Sequence, residues 1–280
     1  MVKIIKPIGC LTGSIGGITI YRRGDTLVMR PRHNGECRRT LTPGQMRQRA
    51  RYSNATNLWK SFLPGPRPQF QRPAGRGTDY GSFKSHALQC QPAYLTRQQV
   101  ASGGCVVVDV AVSHGSLVPV GVGLQGGLPV TDIALGSLVP SAETTVAQLA
   151  RAVTRLNPAF APGDILRFVL LRQLWNPVVP TPYASGSIAD LPLDPACDEP
   201  LALHVGASVG FGSVGGFLGA AAAVEGGMAW VHVRPTDTGR LFSSQRLCVT
   251  NPLVERYASD DAFATAAQSY GGLTQRPFLS

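Results

Sequence analysis

The sequence predicts a mainly β protein: a β-sandwich or barrel-like body with a few short helices, preceded by a basic arm made of a hairpin and a helix. Three observations predict it. Apolar runs of strand length outnumber runs with helical spacing. Turn chemistry is dense throughout, with 32 Gly and 22 Pro. The charge, finally, is divided along the chain. Residues 1–102 carry 17 Lys/Arg against Asp25, Glu36 and Asp79, a net of +14, whereas residues 103–280 carry 9 basic and 13 acidic residues, a net of −4. Such a division separates a basic segment, able to hold a polyanion or an acidic surface, from a near-neutral body.

Taken in order, Gly13-Ser-Ile-Gly-Gly17 reads as a turn. Its amides could cradle a phosphate, but the Lys and Ser/Thr that complete a P-loop are missing. The β-prone runs 17–21 and 26–29 flank Arg22-Arg23-Gly24-Asp25 and predict a hairpin. Thr42-Pro-Gly-Gln45 predicts a capped helix start, with Thr42 as cap, Pro43 in the first helical position and Gln45 reaching back to the cap amide. The helix runs to about Phe62, with Tyr52, Ala55, Trp59 and Phe62 along one stripe. Residues 64–79 are a Pro/Gly/Arg-rich connector, so the chain divides into an arm (1–63), a connector (64–79) and a β-rich body (80–280).

Within the body, the pattern predicts a short helix at 96–102 and strands at 105–112 and 130–135. A helix capped by Thr144 or Thr145 ends at Asn157-Pro158. Further strands are expected at 165–174, 201–205, 228–233 and 241–249, with Thr236-Asp-Thr-Gly239 turning between the last two. Ser259 caps a last short helix that closes at Gly271.

A chain of 280 residues can bury a core without disulfide staples. Its six cysteines (Cys10, Cys37, Cys90, Cys105, Cys197, Cys248) lie far apart, with no C-x-x-C pair and no His at ligand spacing. The spacing argues against a zinc site and against a disulfide framework, and Cys105 and Cys248 read as small buried hydrophobes. No signal peptide is recognised, because Lys6 and four glycines interrupt the apolar start. A cytoplasmic or virion-associated location is expected. Residues 205–224 are uncharged, but six glycines argue for turns between strands rather than a membrane span.

Little in the sequence points to catalysis. Gly210-x-Gly212-x-x-Gly215 matches the dinucleotide fingerprint after a strand candidate, yet the following stretch is barely two helical turns and the next strand ends in Arg234 rather than an acid. Ser113, His114 and His204 raise nucleophilic catalysis, but no G-x-S-x-G elbow presents a nucleophile, and both histidines read as structural. Asp194, Asp198 and Glu199 read as solvated loop. No catalytic, cofactor or metal residues are assigned. The basic arm remains, with Arg22, Arg23, Arg30, Arg32, Arg38, Arg39, Arg47 and Arg51 as polyanion or partner contacts and Tyr21 or Trp59 available to stack on bases. The competing reading packs the Tyr52/Trp59/Phe62 stripe into the core.

The segment Gly13-Ser-Ile-Gly-Gly-Ile-Thr-Ile-Tyr-Arg-Arg23, then Arg30-Pro-Arg32, then Thr42-Pro-Gly-Gln45 through Arg49 to Tyr52, resembles an uncharacterised bacterial and prophage-associated protein family opening with a glycine–hairpin–arginine–TPxQxxxR segment. Tyr94-Leu-Thr96, Ser113–Leu117, Thr144–Val146, Gly163-Asp164, Ser243–Leu247 and Ser269–Gly271 resemble one branch of it. The resemblance implies no activity and tilts toward mobile-element structural proteins. The sequence therefore predicts a non-enzymatic structural or binding protein whose arm engages nucleic acid or an acidic protein surface. The alternatives are a self-assembling virion or mobile-element protein with arm-to-body contacts between copies, and a nucleotide-cofactor enzyme using the glycine-rich unit 201–237.

Overall fold

A computed structural model describes residues 13–15, 18–23, 26–31, 43–71, 77–90, 93, 95–176, 178, 181–205, 209–254, 259, 261 and 264–265. The chain divides into two compact units, Met1–Thr40 and Leu41–Ser280. The first contains one antiparallel sheet, β1 (Gly13–Ile15), β2 (Ile18–Arg23) and β3 (Thr26–Pro31), in that order. β2 and β3 pair in register up to Arg23 and Thr26, as the predicted hairpin requires, while Gly24 and Asp25 lie outside the described residues. Residues 13–15, read as part of a turn, instead pair with 18–20 as a third strand.

In the second unit, α1 (Pro43–Lys60) is followed by β4 (Gln69–Phe70), α2 (Asp79–Ala87) and α3 (Arg97–Ala101). The chain continues through β5 (Ala111–His114), β6 (Val122–Gln125), β7 (Leu128–Ala134), α4 (Val146–Leu156), β8 (Ile165–Asn176) and β9 (Thr181–Pro192). Then come α5 (Leu201–Val205), β10 (Gly212–Val214), β11 (Phe217–Gly219), β12 (Gly226–Thr236), β13 (Gly239–Phe242), β14 (Gln245–Arg246) and β15 (Cys248–Val249). The protein is mainly β with few helices, as the sequence predicts.

The long strands carry the fold. In the main sheet the order is β13-β12-β8-β9, and β15 pairs with the opposite end of β12. Because side chains alternate along a strand, β8 sends Val169 and Leu171 to one face and Leu166, Phe168 and Leu170 to the other. β12 does the same, with Ala229, Val231 and Val233 against Met228 and Trp230. Both faces are buried, which explains why these strands read as continuous apolar runs. On the first face lie α1, α2 and the 105–112 segment. On the second lie α4, α5 and the sheet β10-β11-β7-β6.

The boundary drawn at residue 63 is corrected. Leu58, Trp59 and Phe62 of α1 pack with Phe83 and Ala87 of α2 in the first core, so the helix belongs to the body and not to an arm. Phe62 lies so close to β9 that a Cβ on Gly186 would fall 2.7 Å from its ring. That strand position requires glycine.

Three strand expectations are also corrected. Residues 201–205 form α5, because Asp198-Glu199-Pro200 supplies a helix start that a five-residue stretch cannot reveal by periodicity. Residues 241–249 break into β13, β14 and β15, in two different sheets. The break falls at Ser243, whose Oγ accepts from the His232 amide at 2.9 Å and whose own amide donates to the His232 carbonyl. Residues 105–110 are mostly buried but form no paired strand, and strand pairing begins only at Ala111.

Side-chain amides satisfy that irregular segment. Asn54 of α1 donates to the Val106 carbonyl (2.9 Å) and accepts from its amide (2.7 Å). Gln173 of β8 accepts from the Val107 amide (2.9 Å) and donates to the Cys105 carbonyl (3.2 Å), and Asn251 donates to the Val107 carbonyl (3.1 Å). Buried backbone groups without a ladder need such partners.

The helix caps follow the sequence. Thr96 with Gln99 and Thr145 with Gln148 form capping boxes, and Asn157 ends α4 while bonding both backbone groups of Ala134. The cap at Thr42 and most of the predicted C-terminal helix lie outside the described residues. No helix among the described residues is long and apolar enough to cross a membrane.

Candidate functional site

The exposed side of α1 and α2 brings cations and aromatic rings together. The Lys84 ammonium lies 4.4 Å from the Tyr52 ring centroid and 4.7 Å from that of Tyr80, and it donates to the Tyr52 hydroxyl at 2.7 Å. That hydrogen bond raises the Lys84 pKa and lowers that of Tyr52, so the lysine is held as a cation. Tyr80 in turn packs on Trp59 (5.6 Å), over which the Arg67 guanidinium sits at 5.7 Å. At the other end, Gln48, Arg49, Tyr52 and Ser53 line an open depression of about 370 Å³. The result is a row of alternating rings and positive groups on a rigid two-helix base.

The row differs from the set of residues read from sequence. Trp59 is 8% exposed, and its ring packs on Phe83 at 5.3 Å, so it is core rather than a free stacking platform. Tyr52, placed on the apolar stripe, is 46% exposed and supplies the accessible ring. Arg51 turns inward and donates from Nη2 to the carbonyls of Leu88 and Cys90, where it closes the C-terminal end of α2. A cation favours that end of a helix, so Arg51 is a structural tie rather than a phosphate contact.

In the N-terminal sheet, Tyr21 is exposed and carries the Arg30 guanidinium 5.5 Å from its ring centroid. Arg22 and Arg23 end β2, and Arg47 lies in α1. Arg32, Arg38 and Arg39 fall outside the described residues.

The catalytic candidates do not assemble. Gly212–Val214 and Phe217–Gly219 are the arms of a hairpin whose turn is Gly215-Gly216, both at positive φ. The fingerprint glycines therefore open no helix and offer no dinucleotide cradle. Ser113 Oγ donates to the Ser243 carbonyl, while His114 Nδ1 meets Ser244 Oγ at 3.1 Å. Asp164 is buried and bonded to His232 Nε2 (2.7 Å) and to Arg234 through Nε (2.8 Å) and Nη2 (2.7 Å). This triple fixes the start of β8 to β12.

Among the described residues, one group of ligand-type side chains escapes the spacing test. The ligating atoms of Cys197, Glu199 and His204 lie within 4.8 Å of one another.

A comparison with protein-family models, with curated proteins and with solved structures finds no match to this chain.

Proposed function

We propose that this is a non-enzymatic binding protein that engages a polyanion, nucleic acid foremost, through its basic first hundred residues. The observation that carries this reading is the net of +14 over residues 1–102. Uncompensated charge of that size repels itself until counterions or a polyanion neutralise it, and release of counterions drives association with phosphate backbones. The Tyr52–Lys84–Tyr80 row adds ring faces beside cations, the combination on which unpaired bases stack. The exposed Tyr21–Arg30 pair offers the same chemistry in the N-terminal sheet.

Anisotropy with a labelled single-stranded oligonucleotide tests this. Six or more phosphate contacts predict a loss of affinity of about 10³-fold between 50 and 200 mM salt. Tyr52→Ala is expected to weaken binding at fixed salt by about fivefold or more, since every base can stack on the lost ring. Affinity indifferent to salt, or no binding at the lower concentration, sinks the proposal. Mass measured at both salt concentrations separates it from self-assembly, which requires a species larger than the monomer that dissociates as salt rises.

A further inference from the structure

We propose that Cys197, Glu199 and His204 form a three-ligand site for zinc or a cation of its class, with a fourth position left to water or a donor from elsewhere. The three reach one point because the backbone holds them there. The carbonyls of Cys197 and Glu199 accept from the amides of Ala147 (2.8 Å) and Val146 (3.0 Å), in the first turn of α4. Leu201 donates to the Thr144 carbonyl at 2.8 Å, which docks the start of α5 on the same turn. That turn is itself fixed by the Thr145–Gln148 capping box. Two ligands therefore ride on a pinned strip, and α5 carries the third.

The distances suit a metal. His204 Nε2 lies 3.9 Å from Cys197 Sγ and 2.9 Å from Glu199 Oε2. Zinc bonds of about 2.3 Å to sulfur and about 2.0–2.2 Å to nitrogen and oxygen put tetrahedral neighbours about 3.4–3.6 Å apart. The sulfur–nitrogen gap needs only a few tenths of an ångström of closure, by about 0.3–0.4 Å. The nitrogen–oxygen pair, now hydrogen-bonded, must open by about 0.5 Å. Glu199 can supply that movement, because its side chain is 63% exposed while that of His204 is 24% exposed.

Donor type decides the ion. Thiolate and imidazole with one carboxylate select zinc over magnesium or calcium, which take oxygen ligands in larger number. On binding, the Cys197 thiol gives up its proton to solvent, and the sulfur lone pair, the neutral imidazole Nε2 and the carboxylate each donate to the metal. Affinity therefore rises with pH, as one proton leaves per ion bound.

Titration of the untagged, chelator-treated full chain with cobalt(II) tests this, since cobalt reports its own ligands. Binding should bring up a thiolate-to-cobalt charge-transfer absorption and the intense visible bands of a tetrahedral ion, saturating at one ion per chain and bleached by zinc(II). Cys197→Ser should remove the charge-transfer absorption, and His204→Ala should weaken cobalt binding by about tenfold or more. Cys248→Ser should leave both unchanged. Zinc should raise the unfolding temperature of the parent chain and not that of Cys197→Ser. A parent chain without the charge-transfer absorption, or a Cys197→Ser chain that keeps it, overturns the assignment.

Discussion

Gln173→Leu is expected to lower the free energy of unfolding by about 3 kcal/mol, read from denaturant melts as a lower midpoint at unchanged slope. Leucine matches glutamine in size, so the loss comes from hydrogen bonds rather than from a cavity. Gln173 accepts from the Val107 amide and from Asn251 (2.8 Å), and donates to the carbonyls of Cys105 and Tyr183 (2.9 Å). Leucine would withdraw these partners from backbone groups in the interior, at about 1–3 kcal/mol for each left unsatisfied. Asn54→Leu should cost a similar amount through Val106. The double variant should lose less than the two single losses combined, because both amides clip the same segment and it comes free once. Strict additivity, or a loss under about 1 kcal/mol for Gln173→Leu, would show that the segment is held in another way.

That clip explains why one stretch of the fold was legible only in part. The apolar run Cys105–Val112 announces burial, and burial is what the structure shows. The run does not announce that its backbone partners are Asn54, Gln173 and Asn251, each more than fifty residues away. The paired strands β8 and β12 were legible because both of their faces are apolar. β9 was not: Thr181–Pro192 is mostly small and polar, and it becomes a strand because β8 offers it an edge through twelve aligned residue pairs. Helix α4 was legible to its caps, since Thr145, Gln148 and Asn157 carry their geometry in local chemistry.

The sites divide in the same way. Charge, which depends on composition alone, could be read from the sequence; which ring stays exposed could not. Tyr52 and Trp59 lie seven residues apart on one helical stripe, but α2 reaches Trp59 with Phe83 and leaves Tyr52 to Lys84. Reading 201–205 as a strand also hid the metal-type cluster. Seven extended residues span up to about 23 Å, which would carry His204 far from Cys197. One turn of helix in α5 brings it back to 3.9 Å. The signal available in the sequence was Pro200 behind two acids, a helix start.

The largest single loss is expected at Asp164. Asp164→Ala should cost about 3–5 kcal/mol at neutral pH, because it leaves the buried His232 and the partly exposed Arg234 without the three hydrogen bonds to the carboxylate they share. Burial, the strongest influence on Asp164, pushes its carboxyl up. The hydrogen bonds from Arg234, the Ala161 amide and His232 outweigh it together, so the group titrates below 3.8. Burial likewise dominates at His232 and takes the imidazole below 6.5 against the pull of Asp164. With Arg234 already facing the carboxylate, the imidazole stays neutral and donates from Nε2.

Both folded values are depressed, so both groups add stability that is present above their unfolded pKa values and is lost as pH falls through the folded ones. As the medium is acidified, stability should first decline below about pH 6.5, as the unfolded chain takes up a proton at position 232 that the folded chain refuses. His86, also depressed by burial and by His114 and Arg246, adds to this first decline. A second decline should follow below about pH 4, when Asp164 must be protonated, and there the gap between Asp164→Ala and the parent chain should narrow. Denaturant melts from pH 8 to pH 3 read both declines. Constant stability between pH 8 and pH 5 would mean that burial does not keep the His232 imidazole neutral, and an Asp164→Ala chain within about 1 kcal/mol of the parent at pH 7 would mean that the carboxylate does not tie β8 to β12.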